Sequence, residues 1–190
     1  TDKIDQFLHS EKRVLRVSMQ DLSFEHNARE LLTNALGRYL LTKARERVFQ
    51  TKPTVVILDE AHQFLNKNIG DENNRVQLDA FGLIAKEGRK YGLTTILATQ
   101  RPRDIPEDVL SQMGMFVVHR LINEKDRQVV ESACGNLDAS AAAFLPTLGQ
   151  GEAIIVGVDF PMPTPVKIIE PDHPPKSKGP DYEKYWKASE

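Results

Sequence analysis

The sequence predicts an α/β fold with a mainly parallel sheet, helices on both of its faces and a proline-rich C-terminal arm. Three observations carry that expectation. Two short apolar runs, TVVIL at 54–58 and LTTIL at 93–97, read as strands buried on both faces, because neither shows the alternation of a half-solvated strand. Stretches with helical spacing separate the strand-like runs, and that order implies right-handed crossovers between parallel neighbours. Seven of the eleven prolines fall between Pro161 and Pro180, which favours an extended arm that packs poorly on itself.

The elements follow in order. Segment 1–12 is a polar opening, and 13–158 forms the folded body. RVLRVSMQDLS (13–23) begins β-prone, and Ser23 stands where a helix cap belongs, with Glu25 in the first turn. From Ala28, residues Leu31, Leu32, Ala35, Leu36, Tyr39 and Leu40 recur at helical spacing, and Arg38, Lys43, Arg45 and Arg47 make the second half basic. Pro53 ends this helix, and the strand 54–58 begins. A polar loop, 66–75, leads to helical periodicity over 76–90 through Leu78, Phe81, Ile84 and Ala85, broken at Tyr91-Gly92. After the strand 93–100, Asp104 and Glu107 form a capping-box pattern that opens a short helix through Val109 and Leu110.

MFVVHRL (115–121) reads as a third strand of the same set. Asn123 caps a helix over 124–133 that Gly135 closes, and Asp138 caps an alanine-rich helix stopped by Pro146. A strand at 151–157 precedes the arm, 159–190, which carries one more strand at 166–169.

Composition narrows the class more than the partner. A chain of 190 residues with 40% hydrophobic content is long enough for one sizeable core. Its 25 basic and 27 acidic residues sum to −2, so no global field selects nucleic acid or an acidic membrane, and any such contact is local. The single cysteine, Cys134, makes no internal disulfide and reads as a packed residue. No leader and no apolar run of bilayer length occurs, so a cytoplasmic setting is expected.

The chemistry concentrates at two strand ends. TVVIL runs straight into Asp59 and Glu60, and burying an unpaired carboxylate is costly, so the acids belong where the strand emerges. The other buried strand ends in Thr99-Gln100-Arg101. Neighbouring strands would bring acid, amide and guanidinium to one edge, the set that phosphate hydrolysis needs: one carboxylate for the water shell of Mg²⁺, one to polarise the attacking water, and a polar sensor of the γ-phosphate. The plain alternative is that Asp59 and Glu60 only cap the turn at Ala61, and that Gln100 is a satisfied polar residue at a strand end.

His62 follows the acids, but no second His or Cys stands at ligand spacing, which argues against a metal cage and for a supporting role. His9, His26, His119 and His173 are scattered. KEGRK (86–90) ends a helix, where cations suit the dipole; the competing role is an arginine finger, Arg89 or Lys90 reaching a neighbouring subunit's nucleotide.

VVILDEAHQFL (55–65), GRKYGLTTILATQRP (88–102), FVVHRL (116–121) and GEAIIVG (151–157) together resemble the HerA family, in the HerA-FtsK branch of RecA-like hexameric ATPases, over residues 13–171. The resemblance implies a RecA-like P-loop NTPase core in a homo-oligomeric ring, with ATP and Mg²⁺ at subunit interfaces. It also implies translocation of double-stranded DNA and work with a NurA-type nuclease or a Sir2-like or other defence effector. It places Asp59 on the Mg²⁺ shell, Glu60 on the catalytic water, Gln100 at the γ-phosphate and Arg89 as the trans-acting arginine, with Lys90 beside it and Arg101 as a companion.

No GxxxxGK[ST] occurs, so the glycine-rich phosphate cradle is missing from these residues. The expectation is therefore the C-terminal part of a longer ATPase. A non-catalytic ring-assembly module and a conjugation-type coupling ATPase stand as alternatives. A channel loop at 66–75 could touch DNA phosphates through Lys67 and Arg75, although Asp71 and Glu72 offset them.

Overall fold

The computed structural model describes residues 2–22, 27–65, 68–69, 76–135, 137 and 139–173, with backbone alone for 68, 69 and 161. The caps expected at Ser23 and Asp138, the side chains of the 66–75 loop and the arm beyond 173 lie outside these residues.

The polar opening carries a helix, α1 (Asp2–Leu8), that buries Ile4 and Leu8. The carbonyls at its end and just beyond it are met by Lys52: Nζ donates to the oxygens of Phe7, Leu8 and Ser10 at 3.3, 3.3 and 2.6 Å. The Tyr39 hydroxyl donates to Asp5 at 2.5 Å, and that carboxylate pushes the phenol up to about 12. The β-prone opening of the 13–23 stretch forms no strand among its described residues, 13–22.

Helix α2 (Ala28–Arg45) stands where its spacing put it, but rotated. Leu31 and Leu32 are exposed, and the buried positions are Thr33, Asn34, Gly37, Leu41 and Ala44. The cause is the start of α4 (Ala80–Glu87), whose Asp79 makes no side-chain capping bond and pairs instead with Arg38 at 2.6 Å. Asn34 takes over: its Oδ1 accepts the Ala80 N–H at 3.1 Å and its amide donates to the Gln77 carbonyl at 3.3 Å. Gly37 permits the close approach, since a Cβ there would lie 2.8 Å from that of Ala80. Asn34 thus faces inward because it satisfies backbone groups that an apolar side chain would orphan, whereas the buried Thr33 hydroxyl next to it meets no partner among the described residues.

After a short α3 (Val48–Thr51), β1 (Thr54–Leu58) pairs in parallel with β4 (Leu93–Leu97), in register from Thr54 opposite Leu93 to Leu58 opposite Leu97. Between them β2 (Asn68–Ile69) and β3 (Val76–Gln77) make a small antiparallel pair, so the helix expected from 76 begins only at Ala80. Gly92, at φ +79, turns the chain into β4; a Cβ there would meet the Phe49 carbonyl at 2.3 Å. One face of the β1–β4 pair packs on the main core with Phe49, Phe81 and Ile84. On the other, Val55, Ile57 and Ile96 are each more than half exposed. Helices on both faces, as expected from sequence, are therefore not present among the described residues.

The remaining strands correct the expected direction of the sheet. Helix α5 (Glu107–Leu110) precedes β5 (Met115–Val118), which does not join β1 and β4 but pairs antiparallel with β6 (Glu152–Gly157). A single crossover helix returns the chain parallel. Here α6 (Glu124–Cys134) and α7 (Ala139–Phe144) add a second reversal before β6. Asn123 caps α6 as expected, accepting from the N–H groups of Lys125 and Asp126 at 3.0 and 3.3 Å.

A tight turn then leads to β7 (Phe160–Lys167), longer and earlier than the strand expected at 166–169. Prolines 161, 163 and 165 share one parity, while the Ile168 N–H, of the other parity, reaches the Gly151 carbonyl at 2.7 Å. Pro165, in the regular part of the ladder opposite Ile154, thus points its nitrogen to the outer edge, where it removes no ladder bond, and Pro163 stands at the irregularity between Ile155 and Gly157. A second core cluster, including Val118, Val130, Leu145 and Val156, underlies this sheet. No described helix is long and apolar enough to cross a membrane.

Candidate active site at the carboxyl ends of β1 and β4

Beyond the last paired strand residues, the two chains stay bonded through one residue. Ala98 N–H donates to the Leu58 carbonyl at 2.9 Å, and its own carbonyl accepts the Ala61 N–H at 2.9 Å. These bonds bracket Asp59 and Glu60 and force a sharp turn. Glu60 takes it in the left-handed region, at φ 51 and ψ 45. For a residue with a Cβ that conformation costs roughly 1–2 kcal/mol, which the flanking ladder offsets.

The turn separates the acids. Asp59 is exposed, its Oδ1 accepting the Glu60 N–H at 3.1 Å. Glu60 leans across to β4: the Gln100 amide donates to its Oε1 at 3.0 Å, and His62 Nδ1 lies 3.3 Å from its Oε2. The same His62 nitrogen is 3.0 Å from Thr99 Oγ1, which also accepts the Arg101 N–H at 3.0 Å. Both oxygens of Glu60 are thus engaged from two directions.

The other sequence candidates lie elsewhere. The Arg101 guanidinium turns to Asp104, Nε 2.9 Å from Oδ2. That pairing replaces the capping box expected at Asp104, and α5 starts at Glu107, after Pro106, with no side-chain cap. Arg89 and Lys90 are exposed in a 3₁₀ turn, Gly88–Tyr91, at the amino end of β4. A five-residue strand spans roughly 16 Å. Neither cation therefore meets Glu60 of its own chain. They border a cleft of about 450 Å³ with Ala85, Lys86 and Gln112. Lys86 there pairs with Asp108 and holds that carboxyl below its ordinary range, while Arg89 and Lys90 make no ion pair among the described residues.

Sequence reasoning missed Asp126, a buried carboxylate that accepts the Arg103 N–H at 3.3 Å and ties the loop after Gln100 to α6. Nothing local marks it, because its partner is remote in sequence. Cys134 is buried, and burial pushes its thiol up to about 12, so it offers no thiolate at neutral pH.

No group of three or more His, Cys, Asp or Glu among the described residues could cage a metal. The donor set instead fits one side of a Mg²⁺–nucleotide site. Mg²⁺ keeps its waters and takes one or two carboxylates plus phosphate oxygens, and Asp59 presents such an exposed carboxylate beside Glu60 and Gln100.

Residues 39–180 match the family described as Helicase HerA-like C-terminal. The chain belongs to this family. Among HerA relatives, the DNA double-strand break repair helicase HerA of Sulfurisphaera tokodaii is 30% identical over 193 residues, covering 99% of this chain and 37% of that protein. A probable helicase of Methanocaldococcus jannaschii is 39% identical over 121 residues, 64% of this chain and 22% of that one. The HerA-like chain thus spans little more than a third of such relatives at most.

Among solved structures, B204, the DNA-packaging ATPase from Sulfolobus Turreted Icosahedral Virus, aligns at a TM-score of 0.55 and 19% identity over 82% of this chain and 73% of its own. VirB4 of Thermoanaerobacter pseudethanolicus gives 0.52 and 19% over 77% and 39%. These likenesses show the fold: an α/β, RecA-like-related core.

Proposed function

We propose that this chain is the part of a HerA-type hexameric, ATP-driven double-stranded DNA translocase that supplies the hydrolytic acid and the trans-acting arginine. The observation that carries the reading is the contact of Gln100 with Glu60 at 3.0 Å across two adjacent parallel strand ends. In open α/β sheets, ligands gather at that edge.

In this reading Glu60 orients the attacking water and accepts its proton, with Gln100 beside it to sense the γ-phosphate. Asp59 holds Mg²⁺ through water, and the ion when bound neutralises charge on the phosphate oxygens. Arg89, with Lys90 next to it, serves the nucleotide of a neighbouring subunit, since the strand keeps it from its own Glu60. Arg101 stays a companion, engaged by Asp104. Double-stranded DNA and a NurA-type nuclease or a Sir2-like or other effector are the proposed partners.

The test is Glu60→Gln in the full-length protein. ATP binding should persist while hydrolysis falls by about 10²-fold or more, read by equilibrium nucleotide binding and phosphate release. Near-normal turnover would overturn the assignment. Absence of hydrolysis in the unaltered protein would favour a ring-assembly module.

A further inference from the structure

One group beside Glu60 has no part in the reading above. His62 is only 7% exposed, in the 3₁₀ turn Ala61–Gln63 that follows the acid. Both of its polar contacts are made through Nδ1, to Thr99 Oγ1 at 3.0 Å and to Glu60 Oε2 at 3.3 Å. Thr99 Oγ1 is the hydrogen-bond partner of Nδ1, and a proton on that nitrogen lets it also approach the Glu60 carboxylate, which can only accept, as a longer electrostatic contact. Thr99 belongs to the end of β4 and is itself fixed, because its hydroxyl accepts the Arg101 N–H. One ring atom therefore links the acid on the β1 side to the strand end that carries Gln100.

We propose that His62 is a positioning residue that pins the Glu60 carboxylate to the end of β4 through Nδ1, keeping it in the orientation from which it acts on water. The role rests on Glu60 being the base. Gln100 holds Oε1 but leaves the carboxylate free to pivot about that contact, and the second hold, on Oε2, stops the pivot. A catalytic group misplaced by about 1 Å can lose about 10²-fold in rate, so the second hold acts on turnover rather than on substrate binding.

The geometry gives a sharp contrast between two amide replacements. Asn places its amide nitrogen near the position of Nδ1, whereas Gln extends toward that of Nε2. The experiment measures ATP hydrolysis by the full-length protein carrying His62→Ala, His62→Asn or His62→Gln, with melting curves as a check of folding. His62→Ala should lower kcat by roughly 10- to 100-fold with KM for ATP within about 2-fold; His62→Asn should recover to within about 3-fold of wild type, and His62→Gln should not.

A kcat for His62→Ala near wild type, or a loss confined to KM, overturns the inference. If His62→Ala does not fold, the Asn and Gln variants decide alone, and equal kcat values overturn it. Wild-type hydrolysis that Glu60→Gln abolishes while every His62 variant runs normally defeats only this inference. A wild-type protein that binds ATP without hydrolysing it defeats the proposed function, and the inference with it.

Discussion

At the carboxyl end of the β1–β4 pair the polar groups answer one another: Gln100 and His62 hold the two oxygens of Glu60, and Thr99 holds His62. At the amino end, Arg89 and Lys90 stand exposed with no ion pair among the described residues, although Lys86 beside them is matched by Asp108. The same two strands thus carry a self-contained acid cluster at one end and unmatched positive charge at the other. Groups that satisfy each other are preorganised at little further cost on binding. Cations left open make their contribution to something brought to them. That division is the one expected of a site split between neighbouring subunits.

The largest break in the comparison is Arg89→Ala. In the full-length protein it should lower ATP hydrolysis by about 10³-fold, and Arg89→Lys should not restore it, because an ammonium lacks the planar fork. Steady-state phosphate release measures both. Next comes the turn that sets Arg89 against β4. Gly92→Ala puts a Cβ on the Phe49 carbonyl at a positive φ and should destabilise the protein by about 2 kcal/mol, seen as a lower midpoint in urea unfolding.

Gln100→Ala frees one oxygen of Glu60 and should cost about 10-fold in kcat with folding unchanged, a loss that kinetics at saturating ATP would show. The smallest effect lies away from both ends. Glu152 accepts the Gly149 N–H at 2.7 Å and faces Lys167, and these contacts lower its carboxyl below the ordinary 4.5. A lowered folded value means a stabilising contribution that is present above the ordinary value and lost as pH falls through the lowered one. The gap in melting temperature between wild type and Glu152→Gln should therefore be small at neutral pH and close below about pH 4.5.

The strand ends were legible in sequence because the two strands are short, continuous runs of apolar and β-branched residues, and the acids interrupt one of those runs abruptly. The burial on both faces that such runs suggest is not met, since Val55, Ile57 and Ile96 stand exposed. Asn123 was legible for a similar reason, since a cap acts on the residues next to it. What sequence concealed depends on distant partners. The buried face of α2 follows Asn34, whose role is set by the buried Ala80 N–H at the start of α4, otherwise unpaired among the described residues. The antiparallel direction of β5 and β6 follows from two helices where one would have kept the chain parallel. The arm was legible as proline-rich but not as β7, because prolines exclude a central strand and not an edge. His62 could be placed near the acids but not turned inward, since Thr99 lies a full crossover away.

The central claim is that the acid cluster of one subunit and the Arg89 of another form one site. Mixing full-length Arg89→Ala subunits with full-length Glu60→Gln subunits tests it directly. Each parent should be inactive alone, whereas an interface that draws Glu60 from the first and Arg89 from the second should be complete. The account predicts ATP hydrolysis that appears on mixing and peaks at intermediate ratios; no hydrolysis at any ratio, in assemblies shown to exchange subunits, would contradict it.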